Sequence, residues 1–255
     1  MTRIAVTGAT GTMGTTVIGL AADRSAVDVV LASTRADAAD LAVPVISPVD
    51  FESGLRTHDV DVVVDFSVPA ASVAAVEAAS RVGCAAVIGT TGFDEAQLTV
   101  LTEASESIPL LRSANFSRGI QAMRAALKAA LERLPGYDVE VTETHHHRKR
   151  DAPSGTAISL VEDIEANRAQ ATRVHGRHGD TERAPGEIGI HARRGGTIRG
   201  EHEILIAGKD EVLSLSHRAG SRRIFASGAL DAAEWLGGCP PGQYTFDEVL
   251  ADETA

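Results

Sequence analysis

The first hundred or so residues alternate short apolar runs rich in β-branched side chains with Ala-rich stretches. Each run is bounded by Gly, Pro or polar residues, so the runs predict strands at residues 3–6, 27–32, 61–65, 85–88 and 110–112. The stretches between them predict helices at residues 13–22, 70–82 and 94–107, and Asp94 is placed to cap the last one. This alternation predicts a parallel sheet covered on both faces, which binds ligands at the carboxyl ends of its strands.

The pattern changes after Asn115. It then predicts helices at residues 119–134, 154–167 and 222–236, and strands at residues 137–144, 187–193, 197–207 and 211–217. Strands that follow one another directly favour an antiparallel or mixed sheet. The predicted fold class is therefore α/β, with a parallel-sheet domain at residues 1–114 and a separate α+β domain at residues 115–255. The pattern leaves open whether the last helices pack back on the first domain.

Composition excludes several classes of partner. The 255 residues carry 35 acidic and 24 basic side chains, and the net charge of -11 argues against general nucleic-acid binding, which needs a basic face. No apolar run approaches the roughly 18 residues of a membrane span. The opening sequence MTRIAVTGAT predicts a strand and a turn rather than a signal peptide, so we expect a cytoplasmic protein. Two cysteines, Cys84 and Cys239, are too few for a disulfide framework or a thiolate metal site.

A glycine-rich loop follows the first predicted strand, with Gly8, Gly11 and Gly14 before the first predicted helix. Glycines allow the tight turn and the close approach of main chain to a pyrophosphate, whose charge is stabilised by the free amides of the helix. The spacing G-x-x-G-x-x-G is looser than G-x-G-x-x-G, so a plain strand-to-helix turn is the alternative. The N-terminal position and the strand–helix units that follow favour a Rossmann-type dinucleotide site.

The second strand-to-helix turn bears on the choice of dinucleotide. A site that prefers NAD usually has an acidic residue about 20 positions after the loop. Here that position is Thr34, followed by Arg35. A small hydroxyl side chain beside an arginine leaves room and charge for a phosphate, which predicts that NADPH is used at least as well as NADH. The alternative is that Arg35 is a solvated surface residue.

Two further loops follow predicted strands, at residues 89–92 and 113–116. Their small residues would let main-chain groups reach a ring such as nicotinamide, although each alone is also compatible with an ordinary loop.

Residues 143–156 are rich in side chains that can bind ligands or transfer protons, and residues 145–150 comprise three histidines, one lysine and two arginines. A metal site is one interpretation, but consecutive histidines on a strand point to alternate faces and rarely converge on one ion. A solvated basic turn is another. We favour an anion pocket, because Pro153 to Thr156 has the composition of a helix start whose free amides favour a carboxylate. Histidine and lysine add proton donors beside it.

This segment resembles the signature of the 4-hydroxy-tetrahydrodipicolinate (dihydrodipicolinate) reductase family, which is a glutamate, two histidines, then a lysine and Asp-Ala-Pro-Ser-Gly-Thr. The resemblance extends over almost the whole chain. Its other motifs are GATGTMG at residues 8–14, DFSVP at 65–69, IGTTGF at 88–93, SANFSRGI at 113–120, PGEIGIHARRGGTIRGEHEI at 185–204 and SHRAGSRRIFASGALDAAEWL at 216–236.

The resemblance implies a Rossmann domain that binds NADPH or NADH, and a second domain that binds substrate and whose sheet builds a homotetramer. It implies reduction of the unsaturated heterocyclic dicarboxylate to tetrahydrodipicolinate, with loss of water, on the route to diaminopimelate and lysine. By the same resemblance His145 is a proton donor or acceptor, Lys149 is the proton donor and His146 contacts the substrate, while no metal is implied. Gly155 and Thr156 bind a substrate carboxylate. The implied cofactor-binding residues are Gly8, Ala9, Thr10, Gly11, Thr12, Met13, Arg35, Gly89, Thr90, Thr91, Ser113, Ala114, Asn115 and Phe116.

The chain departs from the family pattern at two positions. Many members have arginine where Thr12 stands, and many have an acidic residue where Thr34 stands, so the dinucleotide preference stays open. His147 and Arg150 lie at variable positions and receive no role. Two rival functions remain. Another two-domain nicotinamide dehydrogenase would share the first domain, and a non-enzymatic NAD(P)-sensing protein would need only the glycine-rich loop.

Overall fold

The structure is a computed structural model and describes residues 1–35, 38 and 40–252. The strands are β1 Thr2–Thr7, β2 Val27–Ser33, β3 Val45–Ile46, β4 Val62–Asp65, β5 Ala85–Ile88, β6 Pro109–Arg112, β7 Asp138–His145, β8 Thr172–His175, β9 Glu187–Arg194, β10 Glu201–Ala207, β11 Val212–Arg218 and β12 Gly242–Tyr244. The α-helices are α1 Thr12–Ala21, α2 Phe51–Thr57, α3 Pro69–Val82, α4 Glu95–Ser105, α5 Arg118–Arg133, α6 Gly155–Ala166, α7 Arg223–Leu236 and α8 Phe246–Asp252. A single 3₁₀ turn, Pro48–Asp50, precedes α2.

The chain divides into two compact units, Met1–Ser117 with Arg222–Ala255, and Arg118–Ser221. This differs from the predicted division at residue 114, because the C-terminal segment belongs to the first unit and not to the second. Three residues of that segment, 253–255, lie outside the described part of the chain. The physical reason is the apolar face of α7, whose Ala229, Leu230 and Ala233 are fully buried in the same cluster as Val6 and Val64 of the first sheet.

The first unit contains a seven-stranded sheet in the order β12-β6-β5-β4-β1-β2-β3, with parallel pairing throughout. The prediction of a parallel α/β sheet is confirmed. Side chains alternate along its central strands: Val6 and Val64 pack on the face that holds α1 and α7. Ala5 and Val63 pack on the opposite face, against α2 and α3. With both faces covered, the sheet leaves the carboxyl ends of its strands as the place for a ligand.

The second unit contains a five-stranded mixed sheet in the order β11-β10-β7-β9-β8. The pairs β11–β10 and β10–β7 are antiparallel, and the pairs β7–β9 and β9–β8 are parallel. One face packs against α5 and α6, where Val141, Ile190 and Ile204 meet Leu127 and Leu160. The short, mostly exposed strand β8 was not predicted, and the strand predicted at residues 197–207 begins only at Glu201.

Helix α4 begins as the sequence predicts. The Asp94 carboxylate accepts a hydrogen bond from the amide of Gln97 at 2.8 Å, and the Gln97 side chain accepts one from the amide of Asp94 at 3.0 Å. This reciprocal pair satisfies two amides that the first turn of a helix leaves without partners. Among the described residues, none of the helices combines the length and the apolar character needed to cross a bilayer.

Candidate active site

The glycine-rich loop at the end of β1 is built around close main-chain contacts. Gly8 has φ +65°, and a Cβ at this position would lie 2.3 Å from the carbonyl oxygen of Phe66. A Cβ at Gly14 would lie 2.3 Å from the carbonyl oxygen of Gly8. Helix α1 begins after Gly11, with no side chain capping its amides and no acidic residue in its first turn. The free amides and the helix dipole therefore favour a phosphate at this position.

A cavity of about 550 Å³ lies beside this loop in the first unit. Its lining includes Thr10, Gly11, Thr34 and Arg35, and the hydroxyl oxygens of Thr10 and Thr34 are 2.9 Å apart. This volume lies in the range of small-molecule sites. Arg35 is exposed, so its charge is accessible to a bound phosphate.

The cavity lining also includes two glutamates, Glu52 and Glu77. Hydrogen bonds from Arg81 at 2.7 Å and Arg56 at 3.2 Å pair the Glu52 side chain, and the bond from Arg81 is the main cause that lowers the pKa of Glu52. The charge of Glu52 is therefore balanced by two arginines.

A buried carboxylate, Asp65, organises the loops at the carboxyl ends of β4 and β5. Its oxygens accept hydrogen bonds from the hydroxyls of Ser67 and Thr90, both at 2.5 Å, and from the hydroxyl of Thr7. The amide of Ser67 also donates to the Thr90 hydroxyl at 2.9 Å. The loop predicted to bind cofactor at Gly89, Thr90 and Thr91 is thus anchored to the centre of the sheet. Asp65 opens the DFSVP motif, but the sequence alone assigns it no role.

The loop after β6 is held by its own hydrogen bonds. The Ser113 hydroxyl donates to the Asn115 carbonyl at 2.8 Å, and the Asn115 side chain accepts from the amide of Ser117 at 2.8 Å. The ring of Phe116 is 1% exposed and packs edge-to-face on Phe66 and Phe246. Ala9 is also fully buried. Neither residue therefore presents a side chain to a ligand at the surface of the first unit.

The second candidate cluster lies where β7 ends. Val139 and Val141 pack in the core of the second unit, and the same alternation brings Glu143 and His145 to that face. His145 donates from Nδ1 to the Glu143 carboxylate at 2.6 Å. Glu143 is fully buried, and the His145 side chain is 11% exposed.

Arg194, the last residue of β9, completes the environment of Glu143. Its Nη1 and Nη2 donate to the two carboxylate oxygens at 2.8 and 2.7 Å, and the amide of Ser154 donates to one of them at 3.1 Å. Burial alone raises the pKa of Glu143, but the hydrogen bonds from His145 and Arg194 outweigh it and lower the pKa to about 2. Glu143 is therefore ionised at neutral pH. Neither Glu143 nor Arg194 is assigned a role from the sequence alone.

Lys149 is connected to this cluster through Asp151. The ammonium group of Lys149 lies 2.8 Å from the Asp151 carboxylate, and the main-chain oxygen of Asp151 accepts from Arg194 at 2.6 Å. Burial is the largest single influence on the pKa of Asp151 and raises it, but the hydrogen bond and charge of Lys149 together with the charge of Arg194 lower the pKa below its usual value. A positive side chain that is 22% exposed is thus fixed near the start of α6.

Helix α6 begins as the sequence predicts, with Ser154 as its N-cap accepting from the amide of Ala157 at 3.3 Å. Gly155 is exposed at the first helical position, and Thr156 follows it. The Ser154 hydroxyl also bonds to Nε2 of His202, at 3.2 Å. Burial is the main cause that lowers the pKa of His202 to about 4, and the charge of His145 adds to it. His202 is therefore neutral at pH 7, with its ring edge-to-face on His145 at 5.4 Å.

The three consecutive histidines diverge. His145 is buried and His146 is half-buried. His147 is exposed, and its Nδ1 lies 2.9 Å from the carbonyl oxygen of Gly196. Within the described ranges, no group of three or more His, Cys, Asp or Glu side chains is arranged to hold a metal ion.

Family models match both halves of the chain. The model described as dihydrodipicolinate reductase, N-terminus, matches residues 2–116, and the one described as dihydrodipicolinate reductase, C-terminus, matches residues 119–250. A 4-hydroxy-tetrahydrodipicolinate reductase from Haloarcula marismortui is 52% identical over 98% of this chain and 99% of its own length. Another from Natronomonas pharaonis is 46% identical over 97% of this chain and 100% of its own length.

Two solved structures are similar to this chain in fold, one at 26% and one at 12% sequence identity. A dipicolinate-bound dihydrodipicolinate reductase from Paenisporosarcina sp. TG-14 superposes with a TM-score of 0.80 at 26% identity, over 96% of this chain and 97% of that one. A myo-inositol 2-dehydrogenase from Lactobacillus plantarum superposes with a TM-score of 0.61 at 12% identity, over 98% of this chain and 93% of that one. The second likeness concerns the fold alone.

Proposed function

The chain belongs to the dihydrodipicolinate reductase family, and on that basis we propose how its residues carry out the reaction. It is an NAD(P)H-dependent oxidoreductase that reduces 4-hydroxy-tetrahydrodipicolinate to tetrahydrodipicolinate with loss of water, in diaminopimelate and lysine biosynthesis. The observation that carries this conclusion is the match of both halves of the chain to the same reductase.

The first unit holds the dinucleotide. Its uncapped α1 amides and the cavity beside them fit a pyrophosphate and a ribose. When bound, the reduced nicotinamide supplies a hydride. We assign cofactor binding to the loop from Gly8 to Met13, to Arg35, to the loop from Gly89 to Thr91 and to the loop from Ser113 to Phe116. The absence of an acidic side chain at Thr34 and the exposed cation at Arg35 support the use of NADPH.

The second unit holds the dianionic substrate. The first amides of α6, at Gly155 and Thr156, would bind one carboxylate, because they lie at the positive end of the helix dipole. Lys149 would bind a carboxylate as a point charge, and His146 would contact the substrate. This arrangement favours a doubly negative ligand in a chain whose net charge is -11.

Proton transfer completes the reduction. Attack of a hydride on a conjugated imine raises the electron density of the ring, which a proton must then neutralise. Lys149 would donate that proton, since its ammonium group carries hydrogens and its side chain keeps 22% of its surface exposed for contact with a ligand. His145 would exchange a proton at the same site. Both residues would act directly on the substrate as catalytic residues.

We further propose a cytoplasmic homotetramer. Its interface would lie on the sheet of the second unit, where Val212 and Leu213 of β11 are 59% and 38% exposed. Light scattering tests the assembly: a mass four times the chain's 26.6 kDa supports it, and a monomer contradicts it.

Oxidation of NADPH in the presence of freshly generated 4-hydroxy-tetrahydrodipicolinate tests the reaction. We expect oxidation that requires both the substrate and the protein. A dehydrogenase of another specificity would bind NADPH but oxidise it only with a different substrate. An NAD(P)-sensing protein would bind NADPH and oxidise it with none.

A further inference from the structure

Glu143 is fully buried, and both of its carboxylate oxygens are saturated with donors. One oxygen accepts from Nδ1 of His145 at 2.6 Å and from Nη1 of Arg194 at 2.8 Å. The other accepts from Nη2 of Arg194 at 2.7 Å and from the amide of Ser154 at 3.1 Å. A fully satisfied buried carboxylate holds its partners in one geometry, because breaking any of these bonds leaves a buried charge short of a donor.

This arrangement fixes which nitrogen of His145 carries hydrogen. An ionised carboxylate only accepts hydrogen bonds, so the group that faces it must donate. Nδ1 of His145 therefore carries a hydrogen, and Nε2 is the nitrogen that gains or loses one. A Cβ at position 200 would lie 3.1 Å from Nε2. The glycine found there thus keeps the space beside Nε2 open.

We propose that Glu143 is a positioning residue for the reduction, which fixes the tautomer and the ring orientation of His145 so that Nε2 exchanges a proton with the substrate. Arg194 balances the charge of Glu143 and connects it to the main chain at Asp151. The inference rests on the proposed role of His145. Glu143 on β7 and Arg194 on β9 are then needed for full activity although neither contacts the substrate.

The charged and titratable groups around the pair are few. Arg194 faces the Glu143–His145 pair from β9, and His202 faces it from β10. The charge of His217 on β11 contributes to the lowered pKa of His202. Lys149 and Asp151 lie in the loop before α6. His202 stays neutral above pH 4, so its own charge does not change over the range in which such an enzyme is assayed.

Glu143→Gln separates positioning from a purely structural role. The glutamine side chain can take two orientations. In one, its NH₂ group faces Arg194 and the amide of Ser154, which are both donors. In the other, its NH₂ group faces Arg194 and Nδ1 of His145. Only Nδ1 can become an acceptor, so the variant favours the His145 tautomer with hydrogen on Nε2. The matched control is Glu140→Gln on the same strand, where Glu140 accepts from His191 at 2.5 Å and from Arg183.

The experiment combines long-range ¹H–¹⁵N spectra of ring-labelled histidine, recorded over a pH series, with steady-state kinetics. His145→Gln identifies the His145 signals. In the unmodified protein we expect Nδ1 of His145 to carry a hydrogen at every pH, and only Nε2 to lose its hydrogen as the pH rises. In Glu143→Gln we expect hydrogen on Nε2 at high pH and a fall in kcat of about 10- to 1,000-fold, with the Kd for NADPH within about twofold. Glu140→Gln should leave the His145 signals and kcat unchanged.

Each outcome is decisive. A neutral His145 with hydrogen on Nε2 in the unmodified protein overturns the inference, even if Glu143→Gln does not fold. A fall in kcat without a change of tautomer also overturns it, since Glu143 then acts only through the fold. A change of tautomer with unchanged kcat confirms the positioning but refutes the catalytic role of His145, and therefore the proposed mechanism.

Discussion

The ammonium group of Lys149 lies 2.8 Å from the carboxylate of Asp151, but the two side chains differ in exposure. Asp151 is 61% exposed and Lys149 only 22%. Solvent screens an ion pair with one exposed partner, so this pair contributes little stability. If Lys149 binds the substrate as proposed, we expect a substrate carboxylate to replace Asp151 at small cost.

Lys149 is expected to affect turnover rather than cofactor binding. Lys149→Ala should lower kcat by about 100- to 10,000-fold, because it removes the proposed general acid. Lys149→Arg keeps the charge but releases a proton far less readily, so it should retain more substrate affinity than Lys149→Ala and still lose turnover. Steady-state kinetics and NADPH titration check this. A loss of NADPH affinity with normal turnover would show that Lys149 is misassigned.

Arg35 is expected to discriminate between the two dinucleotides. Arg35→Ala should raise the Kd of NADPH about 5- to 30-fold and leave that of NADH nearly unchanged, because only NADPH carries the 2′-phosphate. Arg133→Ala is the control, since Arg133 is a 73% exposed arginine on α5 in the other unit. Fluorescence titration with both dinucleotides measures the effect. An equal loss for both, or for neither, would contradict the assignment.

Asp65 is expected to stabilise the first unit and its cofactor loops. Asp65→Asn replaces one acceptor oxygen by a donor in front of hydroxyls that already donate, at a cost of about 1–3 kcal/mol. We therefore expect a lower denaturation midpoint and a higher KM for NADPH. Asp61→Asn is the control, because Asp61 accepts a hydrogen bond from the amide of Arg3 at 2.8 Å in a more exposed position. Equal behaviour of the two variants would exclude a special role for Asp65.

Acid should destabilise the protein in two steps. The pKa of His202 is lowered to about 4 in the folded state, so the unfolded chain takes up its proton first, and stability is lost as the pH falls from about 6.5 to 4. The pKa of Glu143 is lowered from 4.5 to about 2, so its contribution is present above pH 4.5 and is lost below it. Urea unfolding at several pH values measures this. His202→Gln should flatten the upper step, and parallel curves for the variant and the unmodified protein would contradict the His202 prediction.

Local patterns predicted the first sheet well. Short runs such as Val62–Asp65 and Ala85–Ile88 are buried throughout, so composition alone marks them as central strands. Caps are equally local, and Asp94 and Ser154 begin their helices as predicted. Gly8 and Gly14 also follow from local constraint, because only glycine fits the close main-chain contacts of the loop.

Long-range pairings were beyond the sequence. Glu143 and Arg194 are 51 residues apart, and their contact depends on β7 pairing in parallel with β9. A local signal exists for Glu143, which continues the alternation of buried positions in β7 after Val139 and Val141, whereas the exposed Ala192 and Arg193 at the end of β9 give no such signal for Arg194. The return of α7 to the first unit left no comparable signal, because its buried alanines would suit either core.

The transfer of hydrogen from cofactor to substrate is the most direct test of the central claim. The measurement uses NADPH that carries deuterium at both C4 positions of the nicotinamide, freshly generated 4-hydroxy-tetrahydrodipicolinate and mass spectrometry of the product. We predict tetrahydrodipicolinate with one deuterium, formed in proportion to the NADPH oxidised. Absence of that product, or product without deuterium while NADPH is consumed, would contradict the account.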